Sequence, residues 1–189
     1  MMKRSRRTSG KAILFLVALC SGAARAAEWT EPVEVRHDLK RCVSYRARLS
    51  GEFLVIQAAH EPGWHTYALD NKQRAAGKLA GRQSLGIDGP TEITLSEGLE
   101  AAGPWHQSRP KDLSKPEILW FSWGFEHEAL FVAKVRRSGA GPAQIAIRGQ
   151  ACTETTCKKV DVTVSLPLAG AEMDRGGEEI DFKALVAVR

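Results

Sequence analysis

The sequence predicts an antiparallel β-sandwich, all-β apart from one short helical excursion. Three observations carry that expectation: eight short apolar or alternating stretches spread over about 125 residues, glycine and proline turn signals between them, and a single stretch with helical spacing. Val43-Ser44-Tyr45-Arg46-Ala47-Arg48-Leu49 alternates apolar and polar, Ser50-Gly51 is a turn pair, and Phe53 to Ala59 resumes as a second strand. This pair reads as a hairpin with one buried face. Further strands are expected at Trp64 to Leu69, Thr91 to Leu95, Ile118 to Trp123, Ala129 to Arg136, Gln144 to Arg148 and Val160 to Leu166. In Asp70 to Ala80, Asp70 is followed three residues later by Gln73, then by Ala75, Ala76, Leu79 and Ala80, which suits a capped helix of two to three turns bridging the sheets. Glu97 to Lys115, with Gly98, Gly103, Pro104 and Pro110, reads as a long loop of the kind that often carries function. From Ala169 the chain is a glycine-rich tail, and Ile180 to Val188 is amphipathic at best.

Hydrophobic residues make up 43 % and charged residues 26 % of the 189, a globular balance that excludes disorder as the main state. The net charge of +5 misleads, because Lys3, Arg4, Arg6, Arg7, Lys11 and Arg25 all precede residue 27 and no acid does. With those six set aside, 21 basic residues face 22 acidic ones, and the electrostatic case for nucleic acid disappears. Residues 1–26 read as a secretory signal: a positive leader, an apolar run from Ala12 to Leu19, and Ala24-Arg25-Ala26 at a cleavage site. The run is too short for a membrane span of roughly 18 residues, and Leu19 before Cys20 argues against lipid attachment. The expected organisation is thus signal 1–26, lead-in 27–42, sandwich domain 43–168 and tail 169–189, with the mature chain exported, spanning no membrane and binding no nucleic acid.

Export matters for the cysteines, since disulfides persist in oxidising compartments. Past the signal there are Cys42, Cys152 and Cys157. The natural pair is Cys152 with Cys157, leaving Cys42 as a small buried hydrophobe near the first strand. Four residues, Thr153-Glu154-Thr155-Thr156, separate the pair at an expected hairpin tip, where facing Cα atoms about 4.5 to 5.5 Å apart permit a disulfide. Closing so short a loop stabilises by roughly 2 kcal/mol in the chain-entropy model, so a staple does little there. An exposed bond at a loop is of the type that exchanges, and Lys158 and Lys159 favour a thiolate, with Glu154 opposing in part. Spacing alone leaves redox exchange, a structural staple and metal binding open.

Two motifs carry a resemblance. Glu61-Pro62-Gly63-Trp64-His65-Thr66-Tyr67 follows a hairpin strand, and Gly149-Gln150-Ala151-Cys152 leads through the tip to Cys157 and an alternating strand, Val160 to Leu166. In their order, separation and secretory context they resemble the N-terminal periplasmic domain of the thiol:disulfide interchange protein DsbD, over about Val43 to Leu168. The resemblance implies an immunoglobulin-like sandwich without a cofactor. Its cysteine pair would receive electrons from a membrane or thioredoxin-like donor and pass them to extracytoplasmic disulfide proteins, as a component of a protein-disulfide reductase. Cys152 and Cys157 fall on the family's redox cysteines, and His65 and Tyr67 fall near the aromatic residues flanking its active site. His65 could hold a thiolate or shuttle a proton; alternatively Trp64 and Tyr67 are core and His65 is a surface polar residue. The chain departs from the family in having Lys158-Lys159-Val160 where prolines or a bulky apolar residue are usual. Trp105 to Pro110 stands about where the family has an acidic, aromatic cap. The family's full protein continues into a membrane channel and a thioredoxin-like domain, so the electron source here is expected to be another molecule.

Other chemistries fare worse. His60, His65, His106, His127 and the cysteines lack compact metal-ligand spacing, and His60 and His65, five apart, would fall on opposite faces of one strand. No Gly-x-Ser-x-Gly elbow or glycine-rich phosphate loop occurs. The serious rival is a non-enzymatic sandwich module that binds a protein or small ligand, with the cysteine pair as a clip and Trp120 and Trp123 in the core.

Overall fold

The computed structural model describes residues 28–83, 89–168 and 180–188; the expected signal and most of the glycine-rich tail lie outside them. Twelve strands and one α-helix occur among these residues. They are β1 (Val33–His37), β2 (Lys40–Ser50), β3 (Phe53–His60), β4 (His65–Tyr67), α1 (Asn71–Leu79), β5 (Glu92–Glu97), β6 (Leu99–Ser108), β7 (Lys111–Asp112), β8 (Trp123–Glu126), β9 (Glu128–Arg137), β10 (Ala143–Cys152), β11 (Cys157–Leu166) and β12 (Leu185–Ala187). All pairings are antiparallel. One sheet runs β1-β2-β3-β9-β6-β12; the other runs β11-β10-β4-β8-β7, with β5 also paired to β10. The result is the all-β, immunoglobulin-like sandwich the sequence predicts.

Between the sheets, Tyr45, Leu54, Ile56 and Phe131 face Phe125, Ile145, Ile147 and Val164, all buried. Phe125 and Phe131 meet edge to face at 5.5 Å, one ring from each sheet. Trp123 joins this core, whereas Trp120 is only half-buried, with Lys115 above its ring.

The helix forms where helical spacing places it, but its start differs from a capping box. Asp70 makes no side-chain cap bond. Its fully buried carboxylate instead accepts from Arg74 Nε at 2.7 Å and from Gln107 Nε2 at 2.7 Å. Gln107 belongs to β6, so this contact ties the helix, which follows a strand of one sheet, to the opposite sheet.

Four expectations are corrected. The lead-in is structured: β1, with only Val33 and Val35 as aliphatic residues, pairs with β2 as an edge strand, and β2 itself begins at Lys40. The long loop is strand for most of its length. Its Gly103-Pro104 sits where the β6–β9 register shifts between Ala101 and Trp105, so a bulge absorbs the proline without ending the strand. Ile118 to Trp123 is not a continuous strand; Pro116–Ile118 forms a 3₁₀ turn closed by Leu119 at φ 56°, Trp120 makes one isolated bridge to Lys115, and β8 begins only at Trp123. The end of the tail is β12, paired with β6.

Candidate thiol-disulfide site

Ten register pairs join β10 to β11, from Ala143 with Leu166 to Cys152 with Cys157. The cysteines therefore close the ladder at one end of the sandwich. They are disulfide-bonded, with Cα atoms 4.0 Å apart. Thr153 orders the tip: its backbone N–H donates to Thr156 O at 2.7 Å, and its hydroxyl accepts from the N–H groups of Thr155 and Thr156 at 3.3 and 3.1 Å.

The two cysteines differ in environment. Cys152 ends an interior strand, flanked by Cys157 on β11 and by His65 on β4, and is 1 % exposed. Cys157 begins the edge strand of its sheet and is exposed. An incoming thiolate can reach only the second of these without opening the sheet.

His65, directly across from Cys152, emerges on the same sheet face. Tyr67, two residues on, shares that face: the rings meet edge to face at 5.3 Å, and His65 Nε2 and the Tyr67 hydroxyl are 3.2 Å apart. Tyr67 is buried and His65 half-buried, while Trp64 packs on the core margin. On its other side His65 pairs with Glu126, whose carboxyl is held below the usual range chiefly by a 2.8 Å bond from Lys111 Nζ.

Thr66, between His65 and Tyr67, points the opposite way and starts a buried polar chain. Its hydroxyl lies 2.8 Å from His60 Nε2, and His60 Nδ1 lies 3.2 Å from His127 O. Donation from Nδ1–H to the carbonyl leaves Nε2 to accept from Thr66, which in turn bonds the buried Tyr45 hydroxyl. Burial pushes the His60 imidazole down to about 4, opposed by its bond to His127. His60 and His65 thus lie in different sheets, not on two faces of one strand. Among the described residues, no group of three or more His, Cys, Asp or Glu is placed to hold a metal ion.

The lysines part company. Alternation along β11 puts Lys159 on the Cys157 face, where it pairs with Asp161 at 2.8 Å, while Lys158 lies on the Val160 face and acts electrostatically on Cys42. Cys42 is a fully buried free thiol whose pKa burial raises.

Sequence reading missed three contributors: the Thr66–His60 chain, Glu126 and Gly149. Gly149 has φ 150°, and a Cβ there would stand 3.1 Å from Pro90 O. It lets Gly89 and Pro90 cross β10 beside the site, where Gly89 N donates to Gln150 Oε1 at 3.2 Å. A lone glycine before Gln150-Ala151-Cys152 was the available signal. Trp105 to Pro110 does not cover the disulfide; Trp105 through Ser108 belongs to the other sheet, where His106 meets Phe182.

The fold and site together define a class: an immunoglobulin-like sandwich with a cysteine pair closing a β-hairpin at its end. Solved structures similar to this chain in fold include three that contain N-terminal domains of ScsB or DsbD. The ScsB domain from Proteus mirabilis aligns with TM-score 0.53 at 16 % identity, over 84 % of this chain and 56 % of that one. The chain therefore spans little more than half of that relative's length. The reduced DsbD N-terminal domain from Neisseria meningitidis gives 0.45 at 11 % identity, covering 77 % and 89 %. The complex between the DsbD and PilB N-terminal domains of the same organism gives 0.40 at 10 %, covering 74 % and 94 %. The resemblance read from the sequence holds at the level of fold. No family model and no curated protein matches the sequence.

Proposed function

We propose that this chain is an exported thiol-disulfide exchange domain. It takes reducing equivalents from a thioredoxin-like or membrane donor and passes them to extracytoplasmic disulfide proteins through Cys152 and Cys157. The observation that carries this reading is the unequal exposure of the two cysteines at an open sheet edge. A clip needs no reachable sulfur, and the ten-pair ladder already closes this loop.

The donor thiolate attacks Cys157 Sγ, the Cys152–Cys157 bond breaks, and Cys152 leaves as a thiolate. The donor's second thiolate then attacks the donor sulfur in the mixed disulfide and releases Cys157, so the donor is oxidised and the pair reduced. Toward a client the order reverses. Cys157 attacks the client disulfide and expels one client thiolate; Cys152 then attacks Cys157 Sγ and frees the other. In this reading His65, the register partner of Cys152, gives or takes the proton of that buried thiol. Lys159, shared with Asp161, offers Cys157 a weaker field than its sequence position suggests.

The test is the reduction potential of the pair in a mature Cys42→Ala chain, equilibrated in glutathione buffers and read by thiol labelling. A value between about −180 and −270 mV, the range of exchange proteins, supports the proposal. A value below about −300 mV refutes it in favour of a binding module with a structural clip.

A further inference from the structure

Four connections converge at the end of the sandwich that carries the disulfide: Asp38-Leu39, residues 61–64, His127, and the tip at 153–156. The register pairs nearest that end place them together: His37 with Lys40, Val43 with His60, Ala59 with Glu128, His65 with Glu126, and Cys152 with both His65 and Cys157. Side chains link the first two. The His37 and Trp64 rings meet at 6.0 Å, and Arg41 Nε donates to Glu61 at 2.6 Å. Lys158, next to Cys157, acts on Cys42 in β2.

Leu39 is out of place by ordinary criteria. It is 91 % exposed, and both it and Asp38 have positive φ, 66° and 47°. A two-residue hairpin turn of that kind prefers Asn-Gly, and leucine there bears backbone strain while burying nothing. The tip is nonetheless held fast, because Arg36 bonds Leu39 O at 3.0 Å and Glu34 at 2.8 Å.

We propose that Leu39 is the apolar anchor of a docking surface for the thioredoxin-like partner, presented beside Cys157. The inference rests on the exchange reading. For a sulfur–sulfur bond to form at Cys157 the partner must lie against this end, and even the footprint of a transient redox encounter, up to about 600 Å² per partner, reaches the neighbouring hairpin. The complementary partner face has an apolar depression next to its redox cysteine. Acidic groups at its margin suit the exposed Lys40 and Lys158, whereas Arg36, Arg41 and Lys159 are already paired with Glu34, Glu61 and Asp161.

Leu39→Gly and Leu39→Asn both suit positive φ, so each removes the apolar side chain without endangering the turn. Stopped-flow reduction of the mature chain by reduced thioredoxin is compared with reduction by dithiothreitol. The thioredoxin rate constant is expected to fall about fivefold to tenfold in both variants, as for loss of one apolar anchor. The dithiothreitol rate should stay unchanged, and the Tm should hold or rise. Variants that match the wild type with thioredoxin overturn the proposal, as does a wild type that thioredoxin reduces no faster than dithiothreitol at equal thiol concentration. A disulfide that resists dithiothreitol as well refutes the exchange reading itself.

Discussion

Acidification should act on this fold through His60. His60 is 8 % exposed, its ring lies between His127 O and the Thr66 hydroxyl, and burial pushes its pKa down to about 4 from 6.5. Above pH 6.5 the imidazole is neutral in both folded and unfolded chains, and its hydrogen bonds contribute in full. As pH falls below 6.5 the unfolded chain takes up a proton that the folded chain refuses, so stability is lost progressively until about pH 4. The gap between those two values corresponds to about 3 kcal/mol. In His60→Gln the amide retains one donor and one acceptor but cannot titrate. Urea unfolding of both proteins from pH 7 to pH 4 isolates the effect, because the carboxylates and other histidines are common to both. The variant should be less stable at pH 7 by about 1 to 3 kcal/mol, from imperfect replacement of buried hydrogen bonds. Its curve should then fall less steeply, gaining about 3 kcal/mol on the wild type by pH 4, so that the variant meets or overtakes it there. Parallel curves, or a His60 ring resonance that titrates near 6.5, would refute the reasoning.

The remaining expectations concern the site and its supports. Cys152→Ala should accumulate a mixed disulfide with an oxidised partner through the exposed Cys157, whereas Cys157→Ala should leave a buried thiol that traps nothing; non-reducing gels separate the outcomes. Gly149→Ala should cost about 1 to 3 kcal/mol in urea unfolding, since it strains φ and crowds Pro90 O, and should raise hydrogen exchange at Gly89. Asp70→Ala should cost about 3 kcal/mol or more by the same assay, because the Arg74 guanidinium and the buried Gln107 amide both lose their shared acceptor.

What the sequence revealed and what it hid divide along physical lines. The β2–β3 hairpin was legible because one face is buried and the other is not, so its side chains alternate. Helix α1 was legible from its alanine spacing, but the partner of Asp70 was not, because Gln107 lies 37 residues away in the other sheet. β1 and β12 escaped notice as the two edge strands of their sheet, with few apolar residues to show. β6 was hidden by a proline that a bulge tolerates.

The cysteine pair was visible from spacing, whereas the chemical difference between its members was not. Nothing in Cys152-Thr153-Glu154-Thr155-Thr156-Cys157 says which sulfur faces solvent. That is decided by strand order: β4, some 85 residues earlier in the chain, covers the free side of β10 and leaves β11 as the edge. The same insertion brings His65 opposite Cys152, so one topological fact buries one cysteine, sets an imidazole across from it and leaves the other cysteine exposed. If the pair were only a clip, this order would bring no advantage, since ten ladder pairs hold the hairpin without it. Exchange needs the asymmetry, because a mixed disulfide is productive only when the second thiol stays shielded from the partner yet within bonding reach of the first.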